Sequence, residues 1–192
     1  VVDKTEDIFQ KSGALLKGHF LLTSGLHSPV YWEKFRVLQF PNYTEPLCRM
    51  IADHFRRQNV QVVAGPTTGG IILAFEVARQ LGVRGIFAEK EAEERSFRRG
   101  FTVDPGERVL IVDDILTTGS SIREVIAAVK KLDGNIIGIG VLVDRSEQAP
   151  DFGFPLFSCH HSATVTYRPE ECPLCAAKVP LIKPGSSQPT AS

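Results

Sequence analysis

The sequence predicts an α/β fold: an open, mostly parallel sheet flanked by helices, with a small hood at its N-terminal end. Three observations carry that reading. Short, mostly apolar runs at Val60 to Ala64, Val83 to Ala88, Val109 to Val112 and Asn135 to Val143 read as strands buried on both faces. Helical patterns separate most of them, so strand, loop, helix and strand follow as parallel βαβ units with right-handed crossovers. The 192 residues, 43% of them apolar, supply one good-sized core without a second domain.

The elements follow in order. Thr5 to Leu16 reads as a helix docking Ile8, Leu15 and Leu16 on the body. Gly18 to Thr23 and Val30 to Leu38 read as strands joined by the turn-forming Ser24-Gly25-Leu26-His27-Ser28-Pro29, so residues 1–40 make an antiparallel hood. Tyr31 and Trp32 within it read as core or interface residues. Asn42 and Glu45 have capping-box spacing after Pro41, and Leu47, Ile51 and Phe55 carry a helix to about Arg57. Gly65-Pro66-Thr67-Thr68-Gly69-Gly70 ends the next strand, and a helix from Ile71 to Leu81 stops at Gly82. Glu89 to Arg99 sets four acids and four bases around one Phe, and the segment 89–104 reads as a solvated hairpin or mobile loop. Asp104-Pro105-Gly106 turns the chain into the Val109 strand. A helix from Ile122 to Leu132 follows, closed by Gly134. Residues 151–182 read as short strands and turns that complete a single domain over 1–182, and 183–192 as a disordered tail.

Composition narrows the function. Lys plus Arg equals Asp plus Glu at 22 each, so no global field draws the chain to nucleic acid or an anionic membrane. No apolar run approaches the length of a membrane span, and VVDKTEDIFQ has no apolar signal core; a soluble, cytoplasmic protein is the expectation. Cys48, Cys159, Cys172 and Cys175 are scattered and mostly late, unlike a secreted disulfide framework.

The chemistry concentrates at Val109 to Ser121, VLIVDDILTTGSS. An apolar strand is followed by Asp113 and Asp114, then by Thr117, Thr118, Gly119, Ser120 and Ser121 opening onto a helix. A loop that ends at a helix N-terminus presents free N–H groups and a partial positive charge, which suits a phosphate. Two carboxylates beside an anion site do not suit a phosphate alone. They suit a ligand carrying a phosphate together with sugar hydroxyls or a bound Mg²⁺. The stretch is neither a Walker A loop nor a dinucleotide fingerprint, because G-x-x-x-x-G-K-[ST] and G-x-G-x-x-G are both absent there.

VLIVDDILTTGSS closely resembles the phosphoribosyl-diphosphate (PRPP) signature of type I phosphoribosyltransferases. The resemblance implies that Asp113 and Asp114 hold the ribose. It gives the 5′-phosphate to Thr117, Thr118, Gly119, Ser120 and Ser121, and counts Ile115 and Leu116 with them among the PRPP-binding residues. Thr67, Thr68, Gly69 and Gly70 resemble the family's pyrophosphate loop, where glycine lets the backbone approach an anion. Further stretches, GHFLLTSGLHSP (18–29), GIFAEKEAEERSFRRGF (85–101) and ECPLCAAKVPLIKPGS near the end, resemble orotate phosphoribosyltransferases. Arg145, in Asp144-Arg145-Ser146-Glu147, resembles their orotate-binding arginine, and Thr117 is implied beside it; a planar guanidinium suits the orotate carboxylate.

The sequence also departs from that pattern. Many of these enzymes have lysine where this chain has His27 and Gly69. In the loop, Lys90 matches a PRPP-binding lysine and is a catalytic candidate with the two acids. Glu89 replaces the arginine before it, and the usual catalytic lysine is missing, which leaves Arg95, Arg98 and Arg99 as lid cations. The resemblance implies transfer of phosphoribose from PRPP to orotate with Mg²⁺, held mainly through PRPP and by Asp113 and Asp114. It also implies a homodimer whose 89–101 loops complete each other's sites. The competing readings are a purine or uracil phosphoribosyltransferase and a PRPP-sensing regulator of the same fold. Finally, Cys172-Pro173-Leu174-Cys175 has zinc-knuckle spacing. Its plain reading is two partly buried thiols in a turn; its metal reading takes completing ligands from Cys159, His160 and His161.

Overall fold

The structure is a computed structural model that describes residues 4–22, 24–92, 94–148, 150–162 and 165–184. The tail at 183–192 lies outside the described residues apart from Lys183 and Pro184. The elements run α1 (Lys4–Lys11), β1 (Leu15–Leu21), β2 (His27–Trp32), α2 (Phe35–Leu38), α3 (Pro41–Phe55), β3 (Val62–Pro66), α4 (Gly69–Leu81), β4 (Arg84–Glu91), β5 (Glu94–Phe97), β6 (Arg108–Leu116), α5 (Ser120–Lys130), β7 (Asn135–Asp144), β8 (Leu156–His161) and α6 (Pro173–Ala176). The main sheet has the order β5-β4-β3-β6-β7-β8, parallel throughout except for β5, and β1 and β2 form a separate antiparallel hairpin. The predicted α/β class and N-terminal hood are both present.

Period-two alternation sorts the core. Leu110 and Val112 of β6 face one side with Val63, Leu142, α3 and α4. Val109 and Ile111 face the other with Val62, Ala64, Ile139, Val141 and α5. Each buried aliphatic side chain contributes about 1.5–3 kcal/mol of transfer free energy, so both layers are held chiefly by this apolar burial.

Several boundaries differ from the sequence reading. The first helix stops at Lys11 rather than Leu16, because Gly13 (φ +64°) turns the chain and Leu15 and Leu16 pair with Trp32 and Tyr31 in the hairpin. Val30 to Leu38 is not one strand: β1 begins at Leu15, so the chain beyond Glu33 has no ladder partner and coils into α2. No capping box forms at Asn42; Pro41 opens α3 at its first turn, and Glu45 accepts a hydrogen bond from Arg49. The left-handed residue after α5 is Asp133 (φ +57°), not Gly134. The charged 89–104 segment begins as a hairpin of β4 and β5, which ends at Phe97; 98–104 then lead toward β6 outside any strand.

The strand order also positions a site. From β3 the chain moves outward to β4, then returns to the other side of β3 as β6. Loops leaving β3 and β6 therefore diverge at their carboxyl ends, and such a switch point opens a crevice for ligands.

Candidate active site

A cleft of about 1080 Å³ occupies that switch point. Its floor and walls combine Thr67, Thr68 and Gly69 after β3 with Asp113, Asp114, Ile115, Thr117, Thr118 and Ser121 around the end of β6. Arg145 follows β7, and the hood adds Leu21, Leu22, Leu26, Tyr31 and Lys34. Trp32 borders the cleft too, but is 4% exposed and packs edge-on against Phe9, as a core residue does. Tyr31, read from sequence as core or interface, lines the cleft and packs its ring against Phe20.

The strand at Val109 does not end before the acids. It runs through Leu116, so the alternation that sorts Val109 to Val112 continues into the carboxylates and sends them to opposite faces. Asp113 points toward α5: its Oδ2 accepts the Ser121 hydroxyl at 2.7 Å, and its Oδ1 accepts the Asp114 N–H at 2.8 Å. Asp114 points toward α4 and the hood. Lys34 Nζ lies 2.9 Å from its Oδ2 and 3.1 Å from its Oδ1, and the Ile115 N–H donates to Oδ1 at 2.7 Å. Only Oδ1 is aligned to accept from Lys34; Oδ2 is buried with the charge beside it but no aligned donor. Burial, then the neighbouring Asp114 charge, push the Asp113 carboxyl up to about 7, while the Ser121 hydroxyl pulls the other way.

Two helix N-termini complete the polar floor. Thr68 precedes α4 and Gly119 precedes α5, and neither helix is capped by a side-chain hydrogen bond. Their first N–H groups are thus left for an anion. Gly119 adopts φ +76°, the left-handed turn that leads the strand into α5, and a Cβ there would lie 2.6 Å from the Phe152 ring. Gly69 has a different reason: a Cβ on it would sit 1.7 Å from Asp114 Oδ2. The glycine is what lets the β3 loop close onto the acid. The Thr67–Thr68 peptide is cis.

The three lid arginines separate clearly. Arg95 enters the cleft with its side chain 9% exposed, its Nη1 donating to Thr67 Oγ1 at 3.0 Å and its Nε to Glu124 at 2.9 Å. Arg98 pairs with Glu91 and Arg99 with Glu89; both follow the end of β5 and stay away from the cleft. Lys90 does not line the cleft either; it is half-exposed with Nζ 3.6 Å from Glu124. Leu116, Gly70, Gly119 and Ser120 also stay out of the lining, Leu116 because its side chain is buried in the core beneath α5. Arg145 is brought in as expected; burial lowers its pKa, Tyr31 is nearby, and its own N–H bonds the Leu116 carbonyl at 2.8 Å. Lys34 was not singled out from sequence. It stands in what reads as a strand, and only the helical turn of α2 brings it over Asp114.

A parallel sheet with acids, hydroxyls and two open helix ends at its switch point defines a protein that binds a phosphorylated sugar. Residues 37–165 match the family model described as the phosphoribosyl transferase domain, and the chain belongs to that family. Among curated relatives, the orotate phosphoribosyltransferase of Pelotomaculum thermopropionicum is 52% identical over 96% of this chain and 97% of its own length. That of Caldanaerobacter subterraneus is 50% identical over 96% and 97%. The crystal structure of orotate phosphoribosyltransferase from Aeropyrum pernix superposes with a TM-score of 0.71 at 27% identity, covering 81% of this chain and 92% of that one. An adenine phosphoribosyltransferase from Rhodothermus marinus, 18% identical, reaches 0.66 over 82% and 98%, and shares the fold alone.

Proposed function

We propose that this chain transfers the 5-phosphoribosyl group from PRPP to orotate, giving orotidine 5′-monophosphate and pyrophosphate in pyrimidine biosynthesis. The observation that carries the reading is the pair of buried carboxylates flanked by two uncapped helix ends at one switch point. Near-full-length relatives that carry this activity in their names support it.

Roles follow from the chemistry. Displacement at the anomeric carbon through an oxocarbenium-like transition state needs positioning, charge stabilisation of the leaving pyrophosphate and exclusion of water. Asp113 and Asp114 orient the ribose hydroxyls. Thr117, Thr118, Ser121 and the α5 N-terminus take the 5′-phosphate. Thr67, Thr68, the α4 N-terminus and Arg95 face the pyrophosphate, and Arg145 with Thr117 meets the orotate carboxylate. Lys34 leaves Asp114 as the ribose arrives, its charge then facing the substrate.

Magnesium fits this donor set: the Asp114 Oδ2 is a buried oxygen with no aligned donor, and carboxylate oxygens with substrate phosphates suit that ion. Asp114, with Asp113, would hold it, and when bound it supplies Lewis acidity to the leaving pyrophosphate.

The chain acts as a homodimer in this reading. Phe75 of α4 is 68% exposed, with Ile72 one turn away and Phe35 and Phe40 on the adjoining segment, an apolar surface suited to a second copy. Lys90 lies outside its own cleft and would serve the neighbour's pyrophosphate. All four cysteines are thiols, which supports a reducing, cytoplasmic setting. Among the described residues, no helix is long and apolar enough to cross a membrane.

Steady-state kinetics with PRPP and orotate, uracil, adenine, guanine or hypoxanthine test the assignment. Pyrophosphate release should be specific to orotate; equal or faster turnover with another base refutes it.

A further inference from the structure

The geometry points to a structural zinc site, separate from the cleft, formed by His19, His27, Cys172 and Cys175. Their ligand atoms all lie within 4.8 Å of one another. His19 Nε2 is 2.9 Å from His27 Nδ1, and Cys175 Sγ is 3.3 Å from His27 Nδ1. Cys172 Sγ and Cys175 Sγ stand 3.5 and 3.7 Å from His19 Nε2. With Zn–N about 2.0 Å and Zn–S about 2.3 Å, a tetrahedron has edges of about 3.3 Å between nitrogens and about 3.5 Å between nitrogen and sulfur. Of these four distances, the three between nitrogen and sulfur lie within about 0.2 Å of that edge, and the two nitrogens need only part slightly. Two thiolates and two imidazoles select zinc among the common divalent ions.

The surroundings suit a metal. His19 Nδ1 lies 2.8 Å from the Val179 carbonyl, to which it donates as N–H, leaving the Nε2 lone pair turned toward the cluster. His19, His27 and Cys172 are buried, at 1%, 5% and 3% exposure. Zinc-knuckle spacing singles out the cysteines, yet Cys159, His160 and His161 are not the completing ligands. Cys159 bonds the Leu47 carbonyl, His160 packs on Phe9 and Trp32, and His161 faces Asp144. The histidines come instead from the hood, far away in sequence.

The site also answers a question of stability. Among the described residues from 165 to 184, Cys172 alone is buried. This segment has almost no core of its own, yet it zips onto the hood through His27–Tyr167 and His19–Ile182 backbone hydrogen bonds. A metal joining β1, β2 and α6 supplies what apolar burial does not. The hood and this segment together wall the cleft, through Leu21, Tyr31, Thr166 and Pro184, so the ion would hold that wall in place.

Metal analysis of the protein purified without added metal or chelator tests this. One zinc per chain is expected. Replacement by cobalt should give the intense visible bands of a tetrahedral ion with a thiolate charge-transfer band, and chelation should lower Tm. Cys175→Ser and His27→Asn should lose the zinc, while His161→Asn keeps it. Zinc well below one per chain after zinc addition, a cobalt spectrum without thiolate charge transfer, or an intact mass showing a Cys172–Cys175 disulfide would each overturn the site. These readouts on the unaltered chain hold even if a variant fails to fold, and none depends on the transferase reaction.

Discussion

At the scale of single residues, the two acids carry different loads. Asp114 holds the ion pair with Lys34 and, among the described residues, the one buried side-chain oxygen free of an aligned donor. Asp114→Asn removes half the charge complement of the ribose site without changing its shape, and kcat/KM should fall roughly 10²-fold while Tm changes little; near-normal kinetics would refute its role. Asp113 is instead costly to ionise. Its folded pKa is raised from 3.8 to about 7, so the folded state holds a proton in that window that the unfolded state has released. Stability therefore declines as pH rises from about 4 to about 7 and the contribution is gone above that. Asp113→Asn keeps the acceptor for the Asp114 N–H and never ionises. Its Tm advantage over the parent should be small near pH 4, grow through the window and level off above pH 7. A difference independent of pH, read by thermal unfolding across that range, would show that Asp113 is not protonated in the folded chain.

At the scale of elements, β6 and the β4–β5 hairpin decide the site. The hairpin and the turn after it carry three arginines, but of these only Arg95 is held inward, by Thr67, Glu124 and the Ala88 carbonyl. Arg95→Ala should reduce kcat by an order of magnitude or more, since a cation beside developing negative charge acts mainly on the transition state. Arg98→Ala, which breaks an exposed pair with Glu91, should leave Tm within about 0.5 kcal/mol equivalent of the parent. Comparable kcat losses in both variants would mean that the hairpin repositions when substrate binds. Arg95 lies within β5, paired to β4, whereas Arg98 and Arg99 follow the end of β5 at Phe97, where the chain has left the ladder and turns.

At the scale of the whole molecule, the exposed α4 face suggests how two copies meet. Phe75→Asp should shift the protein from dimer to monomer by light scattering, and activity should fall if the hairpin of one copy serves the other. A monomeric parent, or a dimeric variant, would rule out this face.

Much of this architecture was legible in the chain. Continuous apolar runs, glycine-rich joints and the acid–hydroxyl stretch at 109–121 mark the parallel βαβ units and the loops at their carboxyl ends that line the cleft, because those signals are local: period, turn chemistry and adjacency are written in neighbouring residues. What only the tertiary structure decided is long-range. It showed that β6 runs on through Asp113 and Asp114 and turns them to opposite faces, since strand length depends on a partner strand being available. It selected Arg95 over Arg98 and Arg99, brought Lys34 onto Asp114, and set His19 and His27 against Cys172 and Cys175 across some 150 residues. No local pattern carries those meetings, because they arise where separate elements are packed against one another by the burial of their apolar faces.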